Sequence, residues 1–161
     1  MNSTMTPTES EAMIDLEATA IIRKYMLWSM GAGLVPVPWV DMAAIAGAQV
    51  KMLSELSKKY SQSFAESKAQ VVIGTLVSSV VPGQLASGFL GGLVKLIPVV
   101  GMVTVPAFAG ASTYALGKVF AQHFASGGTF LDFDPAAVRL HFASLYEEGK
   151  KEAAAAASST H

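Results

Sequence analysis

The sequence predicts an all-α protein: a helical bundle whose apolar helices are broken by proline and glycine. Apolar residues recur at helical spacing, and proline and glycine divide the 161 residues into helix-length segments. Apolar residues make up 52% and charged residues 14%, where an average soluble domain has about 25% charged residues. Lipid or other subunits are therefore expected to cover part of its apolar surface.

Composition also limits the function. The formal net charge of −1 gives no overall basic field, so no nucleic-acid partner is expected. The absence of cysteine excludes disulfides and thiolate metal sites. Residues 1–17 are polar and acidic, unlike a secretory signal peptide, so an intracellular start is expected.

The first helix is predicted over residues 8–30. Thr8 is its expected N-cap, and Glu9 and Glu11 lie in the first turn, where the helix dipole favours acids. Gly31 and Gly33 end it. The predicted apolar face consists of Met13, Leu16, Ala20 and residues 25–27.

The stretch LVPVPWVD, residues 34–41, predicts an extended break followed by a new helix. Pro36 and Pro38 do not suit a helix interior. Asp41 is expected in or near the next first turn, capping backbone N–H groups; the alternative is an intramembrane ion or proton site. Trp28 and Trp39 flank the break, either as an aromatic belt at a membrane interface or as core residues.

The second helix is predicted to run from Asp41 to about Tyr60. Its latter half and the following residues are mildly basic. This basic surface is either a solvated helix face or a contact with anionic lipid headgroups. The lysines concerned are Lys51, Lys58, Lys59 and Lys68.

Two uncharged stretches, residues 69–94 and 96–117, are long enough to be candidate membrane spans. They predict a central helical hairpin, either inserted in a membrane or buried in an oligomer, although Pro82 favours shorter helices. Small residues repeat every four positions, which permits close helix packing and assembly. The rows are Thr75, Ser79, Gly83, Ser87 and Gly91, then Gly101, Ala109, Thr113 and Gly117, with Val105 at the position between Gly101 and Ala109. AIAGAQ (44–49) and AFAGAS (107–112) suggest a weak internal duplication with an offset of 63 residues.

The last helix is predicted to begin with Asp134 as N-cap and Pro135 at its first position, and to stop at Gly149. We divide the chain into a polar N-terminal helix (1–24), an apolar helical core (25–126), a C-terminal amphipathic helix (127–151) and a disordered tail (152–161).

These segments together resemble a known family. The order is LVPVPWVD, AIAGAQVKMLSELSKKY, a Gly/Ser-rich region leading into KLIPVVGMV, GASTYALGKVFAQHF and DFDPAAVRLHFASLYEEGKK. This resembles the bacterial domain-of-unknown-function 697 family, the YcjF-like, GTPase-associated domains, over roughly residues 20–151. The resemblance implies membrane association and a neighbouring GTPase. Because the chain has no GxxxxGK[ST] phosphate loop, that GTPase would be a separate partner.

No catalytic residue, cofactor or metal site is expected. His123, His141 and His161 are scattered, and no GxSxG motif is present. We therefore expect a membrane-associated, self-assembling scaffold that recruits a partner, at the bacterial cytoplasmic membrane with both termini cytoplasmic. The alternatives are a soluble, cytoplasmic homo-oligomeric shell and, more weakly, an ion-conducting pore that uses Asp41.

Overall fold

The computed structural model describes residues 6–34, 38–80 and 98–159, with only the backbone described at 38–42 and 98–104, and most of these residues are helical. Within these ranges the chain forms five α-helices and no strand, which confirms the all-α prediction. They are α1 (Pro7–Ala32), α2 (Pro38–Lys59), α3 (Glu66–Val80), α4 (Pro98–Ala125) and α5 (Pro135–Ser158).

The start of α1 is fixed by a capping box. Thr6, rather than the predicted Thr8, is the N-cap: its hydroxyl oxygen accepts from the Glu9 N–H at 3.3 Å, and the Glu9 carboxylate accepts from the Thr6 N–H at 2.8 Å. Both threonines have a glutamate three residues later, but only Thr6 places a proline, Pro7, at the first helical position. These hydrogen bonds hold the pKa of Glu9 below its ordinary value.

The last helix begins as predicted and ends later. The Asp134 carboxylate accepts from the Ala136 N–H at 3.0 Å, which confirms the predicted N-cap. The helix then passes through Gly149 to Ser158, with Ala153 and Ala156 buried. The predictions of a stop at Gly149 and of disorder from residue 152 are therefore wrong for the described residues. Gly149 continues the helix because it packs against α4.

Consecutive helices run in alternating directions, which gives the bundle two distinct ends. Ile22 of α1 packs on Gly117 of α4, and Gly33, just after α1, packs on Pro106 of α4, so these two helices are antiparallel. We call the end where α1, α3 and α5 finish and α2 and α4 begin the apolar end. The opposite end, where Lys59 of α2 meets Glu17 of α1, is the polar end.

The polar end is closed by an aromatic cluster under the loop between α4 and α5. Phe120 stacks on Phe133 with ring centroids 4.4 Å apart, and Phe64 meets Phe130 edge to face at 5.5 Å. The cluster therefore ties the residues just before α3 and the loop between α4 and α5 to α4. α2 contributes Met52, Leu53 and Leu56, all fully buried, to the same core.

The described parts of the predicted central hairpin are shielded by the chain's own helices. In α3, residues 69–76 bury Ala69, Val72 and Leu76, and α4 buries Ala111, Ala115 and Leu116. Neither lipid nor another subunit is needed to cover these side chains. The rest of the hairpin prediction falls on residues 81–97, which lie outside the described residues.

Candidate functional site

α1 carries apolar side chains on both of its faces. The inward face holds Ala18, Ile22 and Tyr25 in the core. Met13, Leu16 and Leu27 lie on the outward face, within about 60° of one another at roughly 3.6 residues per turn. We call these three residues, with Leu34 just beyond the helix, the α1 stripe; Trp28 lies at its edge. Leu16 is 71% exposed and Trp28 is 67% exposed. Grouped exposed apolar side chains mark an interaction surface.

Part of this surface lies at the apolar end. Leu27, Trp28 and Leu34 occupy the last turns of α1 and the residues just after it. The sequence adjoining this end, residues 35–42 and 81–104, contains one aspartate and one lysine as its only charged residues. The apolar end therefore combines exposed apolar side chains with the least charged parts of the sequence.

The predicted interface residues are divided between the two ends. Trp28 is exposed at the apolar end, and Lys51 is exposed just past the midpoint of α2. Lys58, Lys59 and Lys68 lie at the polar end, where Lys59 pairs with Glu17 at 2.7 Å and the Lys68 ammonium donates to a loop carbonyl at 2.7 Å. The side chain of Trp39 lies outside the described residues.

The predicted break and cap agree with the backbone in part. α2 begins at Pro38, three residues earlier than predicted, because proline suits the first position of a helix. Asp41 is the fourth residue of α2; its side chain is outside the described residues, so its capping role stays a prediction. Pro36 is outside them altogether.

The two rows of small residues have different surroundings. In the first row, the hydroxyls of Thr75 and Ser79 donate to carbonyls of their own helix at 2.8 and 2.6 Å, and Thr75 is exposed. In the second row, Ala109, Thr113 and Gly117 are buried in the bundle. The second row therefore packs helices within one chain. Gly83, Ser87 and Gly91 are outside the described residues, and Gly101 is described only by its α4 backbone.

A buried polar cluster joins three helices and was not predicted from the sequence. The Gln49 amide nitrogen donates to the hydroxyls of Ser112 at 3.2 Å and Thr113 at 3.1 Å, and Thr113 donates to Ser29 at 2.9 Å. All four side chains are at most 2% exposed. The similarity of the segments AIAGAQ and AFAGAS was the sequence signal for this contact. Gln49 and Ser112 are the last residues of the two segments.

Tyrosine–carboxylate hydrogen bonds connect neighbouring helices. Glu55 of α2 accepts from Tyr25 at 2.6 Å and from Lys24 at 2.8 Å. Burial would raise the pKa of Glu55, but the hydrogen bonds and nearby lysine charges bring that pKa below its ordinary value. Tyr60 donates to Asp15, and burial together with this bond raises the pKa of Tyr60 to about 12.

An open groove of about 260 Å³ runs between α1, α4 and α5. Its lining contains no histidine, and elsewhere His123 and His141 make separate contacts with the α4–α5 loop and with Gln122. Across the described part of the chain, no three histidine or carboxylate side chains gather as metal ligands would. The groove is lined by Thr19, Ile22, Arg23, Met26, Tyr114, Lys118 and Glu152.

Residues 69–94 and 96–117 are the two stretches that the sequence predicts as candidate membrane spans. None of the helices, over the residues described, is both long enough and apolar enough to cross a bilayer.

Comparison with known proteins identifies the family. A family model described as "Domain of unknown function (DUF697)" matches residues 3–148. Magnetosome membrane protein 22 of Magnetospirillum gryphiswaldense is 36% identical over 156 residues, which cover 94% of this chain and 80% of that protein. No solved structure matches the chain. The helical bundle described above therefore belongs to a member of the DUF697 family.

Proposed function

We propose that this protein is a membrane-associated, non-catalytic scaffold that contacts a bilayer with the apolar end of its bundle. The observation that carries the proposal is the position of Trp28. This large side chain is exposed beside Leu27 and Leu34, at the end where the chain enters and leaves the apolar residues 81–97. Amphipathic tryptophan rings favour the headgroup level of a membrane.

The name of the related magnetosome membrane protein supports a membrane location. In the proposed arrangement the helix axes are roughly perpendicular to the membrane surface. The apolar end then lies in the interface, and the polar end lies in the cytoplasm. The inner membrane of a bacterium is the location that we propose.

The first prediction concerns the exposed apolar residues at this end. The double variant Leu27→Ser/Trp28→Ser should weaken binding to lipid vesicles by about 2 kcal/mol, roughly thirtyfold, because it removes two apolar side chains from the contact. Vesicle flotation of the purified chain measures this loss.

The matched control is Leu131→Ser/Leu140→Ser, which removes two apolar side chains that are 83% and 86% exposed at the polar end. The control should float like the unaltered chain. In a Trp39→Phe background, Trp28 fluorescence should also shift to the blue when vesicles are added. Equal flotation of both double variants, or a chain that never floats, contradicts the proposal.

A second candidate, a homo-oligomeric shell, is favoured by the far half of the α1 stripe. Leu16 lies roughly 18 Å from Trp28 along the helix, at about 1.5 Å per residue. An interfacial contact reaches only roughly 5–10 Å into the bilayer, so a membrane at the apolar end leaves Leu16 uncovered. Sedimentation velocity without lipid or detergent distinguishes the candidates: a discrete large particle favours the shell.

A further inference from the structure

The basic side chains of the described residues are concentrated in one belt around the bundle. Contacts between helices fix the height of this belt, meaning its position along the long axis of the bundle. Lys118 follows Gly117, which packs on Ile22 of α1, and Lys150 and Lys151 follow Gly149, which packs on Ala111 of α4. Lys24 pairs with Glu55 of α2, one turn from Lys51. The belt consists of Arg23, Lys24, Lys51, Lys118, Lys150 and Lys151.

This belt lies at the height of Trp28. Its members correspond to positions from about Ile22 to about Ser29 of α1, a spread of roughly 10 Å at about 1.5 Å per residue. The exposed apolar side chains of the apolar end begin within the same span. Cations and a tryptophan at one height are the arrangement expected at a lipid–water interface.

The charge along the bundle is asymmetric among the described side chains. In the belt, six cations face four carboxylates: Glu55, Glu147, Glu148 and Glu152. At the polar end the balance reverses, with seven carboxylates against four cations, and four of those carboxylates lie on the first turns of α1. The positive half of the molecule is therefore the half that bears the exposed tryptophan.

Part of the belt is already neutralised within the chain. Lys24 pairs with Glu55 at 2.8 Å, and Lys150 pairs with Glu147 at 2.8 Å. Arg23, Lys51, Lys118 and Lys151 form no ion pair with any other described residue. These four cations come from four of the five described helices: α1, α2, α4 and α5.

We infer that the partner of the apolar end is an anionic lipid bilayer, whose net negative headgroups are bound by Arg23, Lys51, Lys118 and Lys151. This inference rests on the proposed membrane contact and adds the lipid class to it. Each basic residue held near an anionic surface strengthens binding by about fivefold. Headgroup binding also orients the bundle, because the acidic polar end is repelled from the same surface.

The test is flotation of the full chain with two kinds of vesicle: phosphatidylcholine alone, and phosphatidylcholine containing phosphatidylglycerol. The chain should prefer the anionic vesicles, and the preference should disappear between about 0.15 M and about 1 M salt, where screening shortens to roughly 3 Å. Equal binding to both vesicles overturns the inference but leaves the proposed membrane contact intact. Failure to bind either vesicle overturns the proposed contact itself.

A pair of charge variants locates the contact. Arg23→Gln/Lys118→Gln should lower binding to anionic vesicles by about 25-fold and leave binding to phosphatidylcholine unchanged. The matched control, Lys58→Gln/Arg139→Gln, removes two exposed cations at the polar end that form no described ion pair. An equal loss in both variants overturns the assignment. The salt and lipid dependence of the unaltered chain remains decisive if a variant folds poorly.

Discussion

Gly149 is the residue at which packing most strictly limits the side chain. A methyl group at this position would lie 2.7 Å from the Ala111 carbonyl oxygen and 3.0 Å from its Cα atom. Both atoms belong to the backbone of α4 and cannot move aside like the tip of a side chain. The absence of a side chain thus sets the distance between α4 and α5.

Gly149→Ala should therefore lower the free energy of unfolding by about 1–3 kcal/mol, despite the higher helix propensity of alanine. The matched control is Gly74→Ala in α3, where a methyl group meets no atom within 4 Å. This control should raise stability by about 0.5–1 kcal/mol. Urea unfolding followed by circular dichroism measures both values, and a stabilised Gly149→Ala variant would refute the close contact.

Thr113 holds the central place in the buried polar cluster. It accepts a hydrogen bond from Gln49 and donates one to Ser29, so its hydroxyl links α4 to two other helices. Thr113→Val keeps the shape of the side chain but removes both bonds. We expect a loss of about 1–3 kcal/mol in unfolding free energy, because buried polar partners remain unsatisfied.

Ser112→Ala is the comparison for this variant. Ser112 accepts the second Gln49 hydrogen bond, but its own hydroxyl donates to the Ala109 carbonyl within the same helix. The amide of Gln49 would retain Thr113, so the loss should be smaller than for Thr113→Val. Thermal unfolding of the two variants gives the order, and the reverse order would mean that Thr113 is not the central residue.

At the scale of the elements, α1 and α2 are joined by hydrogen bonds that titrate. The raised pKa of Tyr60 means that the folded state keeps its phenol proton to about pH 12, whereas an unfolded tyrosine loses it near the ordinary value of 10.0. The contribution of Tyr60 is therefore fully present below pH 10.0 and is lost as the pH rises towards 12.

Tyr60→Phe should accordingly be less stable than the unaltered chain at neutral pH, and this difference should shrink between about pH 10 and pH 12. Urea midpoints measured across this range test the prediction. Asp15→Asn, which removes the charge of the acceptor, serves as the control. A difference that stays constant with pH would show that the Tyr60 hydroxyl does not stabilise the fold through its proton.

The elements could be predicted where their signals are local. Asp134 followed by Pro135 marks a helix start whatever the tertiary structure, and the structure confirms it. Gly149 has the sequence of a helix stop, and only the backbone of α4 beside it makes it a packing residue. The apolar residues of α1 occupy two faces, and the choice of the buried face depends on α2 and α4, which no local pattern in α1 contains.

At the scale of the whole molecule, the low charge content predicts that lipid or other subunits cover part of the apolar surface. The bundle supplies much of that cover itself, since the described halves of both uncharged stretches pack in its core. The sequence alone could not predict that four basic residues lie at one height of the bundle, because they belong to four helices whose relative positions depend on tertiary contacts. These residues are Arg23, Lys51, Lys118 and Lys151. The asymmetry between the two ends is accordingly a property of the fold.

The odd number of described helices has a practical consequence for tagging. Thr6 precedes α1 at the polar end, and Ser159 follows α5 at the apolar end. If the apolar end contacts the bilayer as proposed, a fluorescent protein fused upstream of Thr6 would lie away from a bound vesicle, whereas one fused downstream of Ser159 would lie next to the vesicle and obstruct the contact. Fusion partners for localisation in cells therefore belong upstream.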